Sequence, residues 1–130
     1  MARKSIEDQL RAARARLARL KPAEAHAAIQ RGAILIDTRC GDDLQRFGTI
    51  PGAVHVPLSV LEWRVDPDSD KGDARLAQAE RLILICNQGF ASSLAAARLH
   101  DIGFTNATDV IGGFEAWRIA GMPIQESETR

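Results

Sequence analysis

The chain has 130 residues, 45% hydrophobic and 26% charged, which suits one globular domain and excludes a disordered or collagen-like chain. Seventeen Lys and Arg balance seventeen Asp and Glu, so the basic footprint of a nucleic-acid binder is absent. Two cysteines, Cys40 and Cys86, and three dispersed histidines, His26, His55 and His100, fit neither a disulfide framework nor a metal cluster.

Residues 1–21 carry seven Lys or Arg against Glu7 and Asp8, and no apolar stretch of a secretory signal follows them. A cytoplasmic setting is the expectation, because a reducing compartment leaves thiols free; an arginine-rich transit peptide is the alternative. Ser5 with Asp8 three residues on predicts a helix cap. Ile6, Leu10, Ala13, Leu17 and Leu20 then recur at helical spacing. Pro22 ends that helix or opens the next, which spans 23–31 and stops at Gly32. The apolar run 33–37 predicts a buried parallel strand. Residues 40–49, with Gly41 and Gly48, predict a loop. A short strand over 54–56, a helix over 58–65 and a polar loop over 66–72 follow. The run 81–86 is the strongest strand, and it is too short to span a membrane, which needs about 20 apolar residues. A loop over 87–90 leads into a small-residue helix over 92–102, stopped by Gly103. A last strand covers 108–111, Gly112 and Gly113 turn the chain, and a helix covers 114–120. Strands alternating with helices predict an α/β fold of three layers, α/β/α, around a central parallel sheet.

Chemistry concentrates at Cys86-Asn87-Gln88-Gly89-Phe90-Ala91-Ser92. A cysteine ends the strongest strand, and a glycine-containing loop and a helix N-terminus follow at once. Ligands of open α/β sheets bind outside the carboxyl ends of strands. Loop amides and a helix N-terminus both favour an anion there. A thiolate is such an anion, and the helix end alone contributes about 0.3–2 kcal/mol. Cys86 is therefore a candidate nucleophile; the other reading is a buried structural cysteine.

With these residues in view, the sequence resembles the rhodanese-like sulfurtransferases. Leu35-Ile36-Asp37-Thr38-Arg39 resembles that family's Asp-x-Arg strand end. The segment 48–57 resembles its Gly-His-Ile-Pro-Gly-Ala box, with Thr49 where histidine is usual. Cys86 to Ser92 falls at the family's active-site loop. Gly112-Gly113-Phe114-Glu115-Ala116-Trp117 and Ala120-Gly121-Met122-Pro123-Ile124 resemble its closing segments. The resemblance implies an N-terminal helical extension over 1–20, a rhodanese-like domain over 21–124 and a polar tail over 125–130. It implies a sulfurtransferase in which Cys86 carries a sulfane sulfur as a persulfide between a donor and a thiol or cyanide acceptor. The loop residues Asn87, Gln88, Gly89, Phe90, Ala91 and Ser92 would bind substrate, supported by Asp37 and Arg39. Neither cofactor nor metal is implied, and neither nucleic acid nor membrane is an expected partner. Thiosulfate-using members often carry arginine where Asn87 and Ala91 stand, so a dianionic donor is not expected to be favoured. The alternative is a non-catalytic rhodanese-fold module that binds a partner or senses thiol state. Cysteine phosphatases need arginine where Ser92 stands, and without it no fork clamps a phosphoryl group.

Other residues carry two readings each. Asp37 and Arg39 either frame the site's mouth or tie down the loop over 48–53, the latter suiting arginine's fork. Cys40 is either a resolving thiol or incidental. His55 and His100 have no evident partner, and Trp63 and Trp117 read as core or core-edge aromatics. The basic first helix either docks its apolar stripe on the domain or offers it to a second copy or an acidic partner.

Overall fold

Ser5 begins the first helix, its hydroxyl accepting the Asp8 N–H at 3.0 Å; α1 spans Ile6–Ala15 in the computed structural model, which describes residues 3–126. The apolar stripe outlasts the helix. Leu20 leaves helical geometry and makes a parallel bridge with Val110. Its N–H donates to Asp109 O at 3.1 Å and its O accepts from Ile111 N–H at 2.8 Å. That pairing satisfies both backbone groups of Leu20, and Pro22 has no N–H with which to continue a helix. Proline instead opens α2, Pro22–Gln30.

Strand β1 spans Ile34–Asp37. The predicted loop after it contains a helix, α3, Gly41–Phe47. Its glycines sit at its ends, where they cost little, and Asp42 and Asp43 in its first turn and Arg46 in its last suit the helix dipole. Strand β2 is Val54–His55. The helix expected next is split into a 3₁₀ turn, Leu58–Val60, and α4, Leu61–Val65. A four-residue helix unmarked by periodicity, α5, Ala74–Ala77, starts where Asp73 accepts the Arg75 N–H. Then come β3 (Leu82–Ile85), α6 (Ala91–Asp101), β4 (Ala107–Asp109) and α7 (Gly113–Ile119).

The four strands run parallel in the order β2-β1-β3-β4, with Ile36 opposite Val54 and Leu84, and Leu84 opposite Asp109. Alternate side chains of a strand face opposite sides. Ile36, Leu82 and Leu84 pack with Ala95, Ala96 and Leu99 of α6 and Leu61 and Val65 of α4. Leu35, Ile83 and Ile85 pack with Ala25 and Ala28 of α2 and Phe114 and Trp117 of α7. These are the expected three layers. Trp117 is buried, its indole N–H donating to Pro123 O at 2.8 Å, whereas Trp63, expected at the core or its edge, is 57% exposed. No helix among the described residues is long and apolar enough to cross a membrane.

The first helix docks on its own domain. α1 lies against α6 and buries Leu10 and Ala13, and Leu17 packs on the α6 side of the core. Deleting residues 1–20 is nevertheless expected to leave a cooperatively folded domain, because the sheet and both core clusters lie almost wholly beyond them. The domain should lose at least the roughly 1.5–3 kcal/mol that burial of one leucine contributes. Chemical denaturation would measure this, and loss of a cooperative transition would place α1 in the core itself.

Candidate active site

Cys86 directly follows β3, and its position is tied from behind. Thr38 donates both its backbone N–H and its hydroxyl to the carbonyl of Ile85, at 2.9 Å each. Beyond it the chain curls through Gly89, at φ +84°, into α6. A side chain at Gly89 would place its Cβ 2.8 Å from the backbone nitrogen of Gly112, so loop and α7 approach too closely for any other residue.

The loop's carbonyls turn outward and are taken up by the start of α7. Phe114 N–H donates to Cys86 O at 2.8 Å and Glu115 N–H to Asn87 O at 3.0 Å. Its amides turn inward: Gly89 N–H and Ser92 N–H donate to Cys86 Sγ at 3.2 and 3.3 Å. Ser92 Oγ lies 3.2 Å from the same sulfur. The sulfur thus sits among donors at the N-terminus of an eleven-residue helix, 8% exposed. Such surroundings stabilise negative charge on sulfur.

The loop's longer side chains face outward. Asn87 Nδ2 donates to Asp43 Oδ2 at 2.9 Å, and Gln88 Nε2 to Glu115 Oε2 at 3.3 Å. The Asn87 amide, then the Cys40 thiol, hold the Asp43 carboxyl below its ordinary range. Cys40 is exposed and 3.3 Å from Asp43, which brings it to the same rim through Asn87. Phe90 is 56% exposed. Two clefts flank the loop: one of about 430 Å³ between Phe47, Phe114 and Arg118, the other of about 370 Å³ between Phe90, Ala116 and Ile119. Gln88 and Glu115 line both.

Asp37 and Arg39 lie beneath the site and do not line either cleft. They form a buried bidentate pair, with Arg39 NH2 2.8 Å from Asp37 Oδ2 and 2.9 Å from Gly48 O. The guanidinium lies over the Phe114 ring, 3.8 Å from its centre, and Phe114 caps the Cys86 carbonyl. The pair therefore braces both the loop over 48–53 and the start of α7. His55 and His100 both have backbone partners, Arg39 O at 2.6 Å and Ala107 O at 2.8 Å.

Other contributors were not singled out from sequence. Thr38 braces the strand end. Asp109 accepts from Ser92 Oγ and Ser93 Oγ, at 2.7 Å each. Arg14 and Arg19 come from the N-terminal segment and donate to Gly89 O at 2.8 and 3.3 Å. A Thr-Asp pair in an otherwise apolar strand was the one available signal, since polar groups are buried only with partners.

The profile of the rhodanese-like domain family matches residues 21–120. A protein of Pseudomonas savastanoi pv. phaseolicola named thiosulfate sulfurtransferase GlpE is 36% identical over 103 residues, which are 77% of this chain and 86% of that protein. A maize protein named adenylyltransferase and sulfurtransferase MOCS3-1 is 32% identical over 84 residues, 65% of this chain but 18% of that protein. Among solved structures, a Rhodopseudomonas palustris protein of unknown function, described as a possible tyrosine phosphatase, superposes with a TM-score of 0.88. It is 29% identical, and the match covers 96% of this chain and 97% of that one.

Proposed function

This chain belongs to the rhodanese-like domain family, and we propose that it is a sulfurtransferase carrying a sulfane sulfur on Cys86 as a persulfide. The observation that supports this reading is the Cys86 sulfur held by the Gly89 and Ser92 amides at the mouth of α6. In the first half-reaction the Cys86 thiolate attacks the outer sulfur of a donor R–S–S⁻. A Cys86–sulfur bond forms, and the donor's S–S bond breaks with its electron pair leaving on R–S⁻. In the second, an acceptor thiolate or cyanide attacks the outer sulfur of the persulfide, and the electron pair of the Cys86 S–S bond returns to Sγ. Amides aimed at the sulfur answer the charge that moves on and off it without reorganising.

The rival phosphatase chemistry finds no support in the loop. Ser92 occupies the position a phosphoryl-clamping arginine would take, and its hydroxyl is turned to Asp109. Asp37 and Arg39 act in this reading as supports, and Asn87, Gln88 and Phe90 meet the donor at the rim. Incubation with thiosulfate, a polysulfide and a small-molecule persulfide, followed by intact mass, tests the proposal. It expects one added sulfur that a thiol or cyanide removes; no added sulfur from any donor would leave the binding-module reading.

Thiosulfate is expected to be the poorest of these donors, because Asn87 and Ala91 offer the dianion no cation. An added arginine left free to meet the dianion should raise thiosulfate kcat/KM by about 5- to 150-fold, equivalent to roughly 1–3 kcal/mol for a hydrogen bond to a charged group. Asn87 sits against the Asp43 carboxylate, 2.9 Å away, which would capture a guanidinium placed there. Asn87→Arg with Asp43→Asn should therefore outperform Asn87→Arg alone. The gain should shrink with salt at this open rim. Steady-state rates with thiosulfate and with a persulfide that carries no charge beyond its terminal sulfur decide the matter: equal gains for both donors would refute the charge argument.

A further inference from the structure

Behind the loop lies a buried polar array that the transfer steps leave unused. Asp109, at the end of β4, has no solvent exposure. Besides the two serine hydroxyls, its carboxylate accepts Arg19 Nε at 2.8 Å and Arg19 NH2 at 3.2 Å. Arg14 donates to Ser93 Oγ at 3.1 Å and to Gly89 O at 2.8 Å. Both arginines precede residue 21, where the family match begins.

A serine hydroxyl has one proton to give. That of Ser92 has two takers, Asp109 Oδ2 at 2.7 Å and Cys86 Sγ at 3.2 Å. Given to Asp109, it leaves a lone pair facing the sulfur, which suits the thiol. Turned to the sulfur, it stabilises a thiolate or a persulfide anion. A buried carboxylate releases a donor only if its charge is otherwise answered. The fork of Arg19, with Ser93 beside it, supplies that answer.

We infer that the Arg19–Asp109 pair, acting through the Ser92 hydroxyl, sets how readily the Cys86 sulfur carries negative charge, so that the segment preceding the matched domain is part of the reaction site. Both are positioning residues, since neither bonds to the sulfur. The inference rests on Cys86 being the reactive thiol of the reading above, and not on sulfur being what it carries.

The test is the rate of Cys86 alkylation by iodoacetamide as a function of pH, in a Cys40→Ser background so that one thiol reports. Asp109→Asn removes a negative charge and leaves Arg19, so its profile moves to lower pH. Arg19→Gln leaves a buried carboxylate that holds both hydroxyls, so its profile moves to higher pH. On the rising limb each rate changes by about tenfold, the factor for one unit of differential ionisation, and the double variant returns close to the parent. The other charged groups around the loop, Arg14 of α1, Arg39 after β1, Asp43 of α3, and Glu115 and Arg118 of α7, are the same in all arms. Opposite shifts from the two partners carry the proposal, because a purely structural pair moves both variants together or neither. Shifts in the same direction, or none in variants that circular dichroism reports as folded, overturn it. Should Arg19→Gln not fold, Arg19→Lys keeps the charge and should stay near the parent while Asp109→Asn moves; an unmoved Asp109→Asn then overturns the proposal by itself. Intact mass after donor treatment separates this from the transferase reading. Opposite alkylation shifts without added sulfur in any protein, the parent included, would defeat that reading and uphold this one.

Discussion

Cys86→Ser is expected to abolish both sulfur loading and transfer, while Cys40→Ser leaves both within about twofold of the parent. The argument is one of placement. Cys86 is the thiol that two backbone amides meet, at 3.2 and 3.3 Å, at the start of α6. Cys40 is an exposed thiol before α3 that donates to the Asp43 carboxylate at 3.3 Å. Serine in place of Cys86 keeps the shape and the amide bonds but offers no sulfur to form a persulfide. The loop, residues 86–92, holds no second thiol. The loss should therefore reach the background rate, a factor of at least about 10³ for removal of a covalent nucleophile. Intact mass and steady-state rates on both variants check this. A Cys40→Ser protein that fails to turn over would mean that a disulfide between the two thiols is part of the cycle.

The second large effect is expected away from the reacting atoms, at Gly113. Its φ is +63°, and a Cβ there would lie 2.5 Å from Cys86 O, 2.7 Å from Gly89 N and 2.8 Å from Asn87 C. All three are backbone atoms of the active-site loop, so no side chain can swing aside to make room. Gly113→Ala carries the roughly 1–2 kcal/mol penalty of a left-handed residue before any clash is counted. The clash is relieved only by moving the loop or the start of α7, and these share the bonds from Phe114 and Glu115 to the Cys86 and Asn87 carbonyls. We expect a loss of about 2–4 kcal/mol, in the range of strain and overpacking combined. We expect also a fall in sulfur loading of at least tenfold in the protein that remains folded, since misplacing a reacting group by about an ångström costs that and more. Gly121 serves as the control: its φ is +75°, but a Cβ added there would meet nothing within 4 Å. Gly121→Ala should lose stability alone. Equal activity loss at the two positions would show that strain, rather than pressure on the loop, is responsible.

Much of the framework was legible along the chain because local rules act there without competition. The cap at Ser5, the proline at the start of α2, the unbroken apolar runs of β1 and β3 and the paired glycines at the start of α7 each follow from the chemistry of a few adjacent residues. The strand-loop-helix placing of Cys86 is equally local, and so was readable. Errors occurred where two local signals disagreed. The glycines flanking 42–47 read as loop punctuation, although the acidic and basic ends between them suit a helix, and α3 forms. Leu20 kept the helical spacing of its stripe, yet its backbone is taken by the sheet at Val110. Trp63 read as a core or core-edge residue from its type alone, but α4 is a single short turn-and-a-half whose buried side is already filled by Leu61 and Val65.

By itself the sequence determined the order of the four strands and of the helices α1, α2, α6 and α7, the parallel three-layer fold and the loop in which Cys86 meets backbone amides. Periodicity and turn chemistry depend on neighbours in the chain, and those are present in the sequence as written. Tertiary structure alone decided what stands behind that loop. Arg14 and Arg19 look like any other basic residues of a solvated face, and Asp109 like an oddity in a strand. The docking of α1 on α6 and the bridge from Leu20 to Val110 bring the arginines onto Gly89, Ser93 and Asp109. Which face of an amphipathic helix is covered, and by what, is set by packing between elements distant in sequence. The buried charge that packing encloses can persist only with a partner, which is why those arginines end where they do.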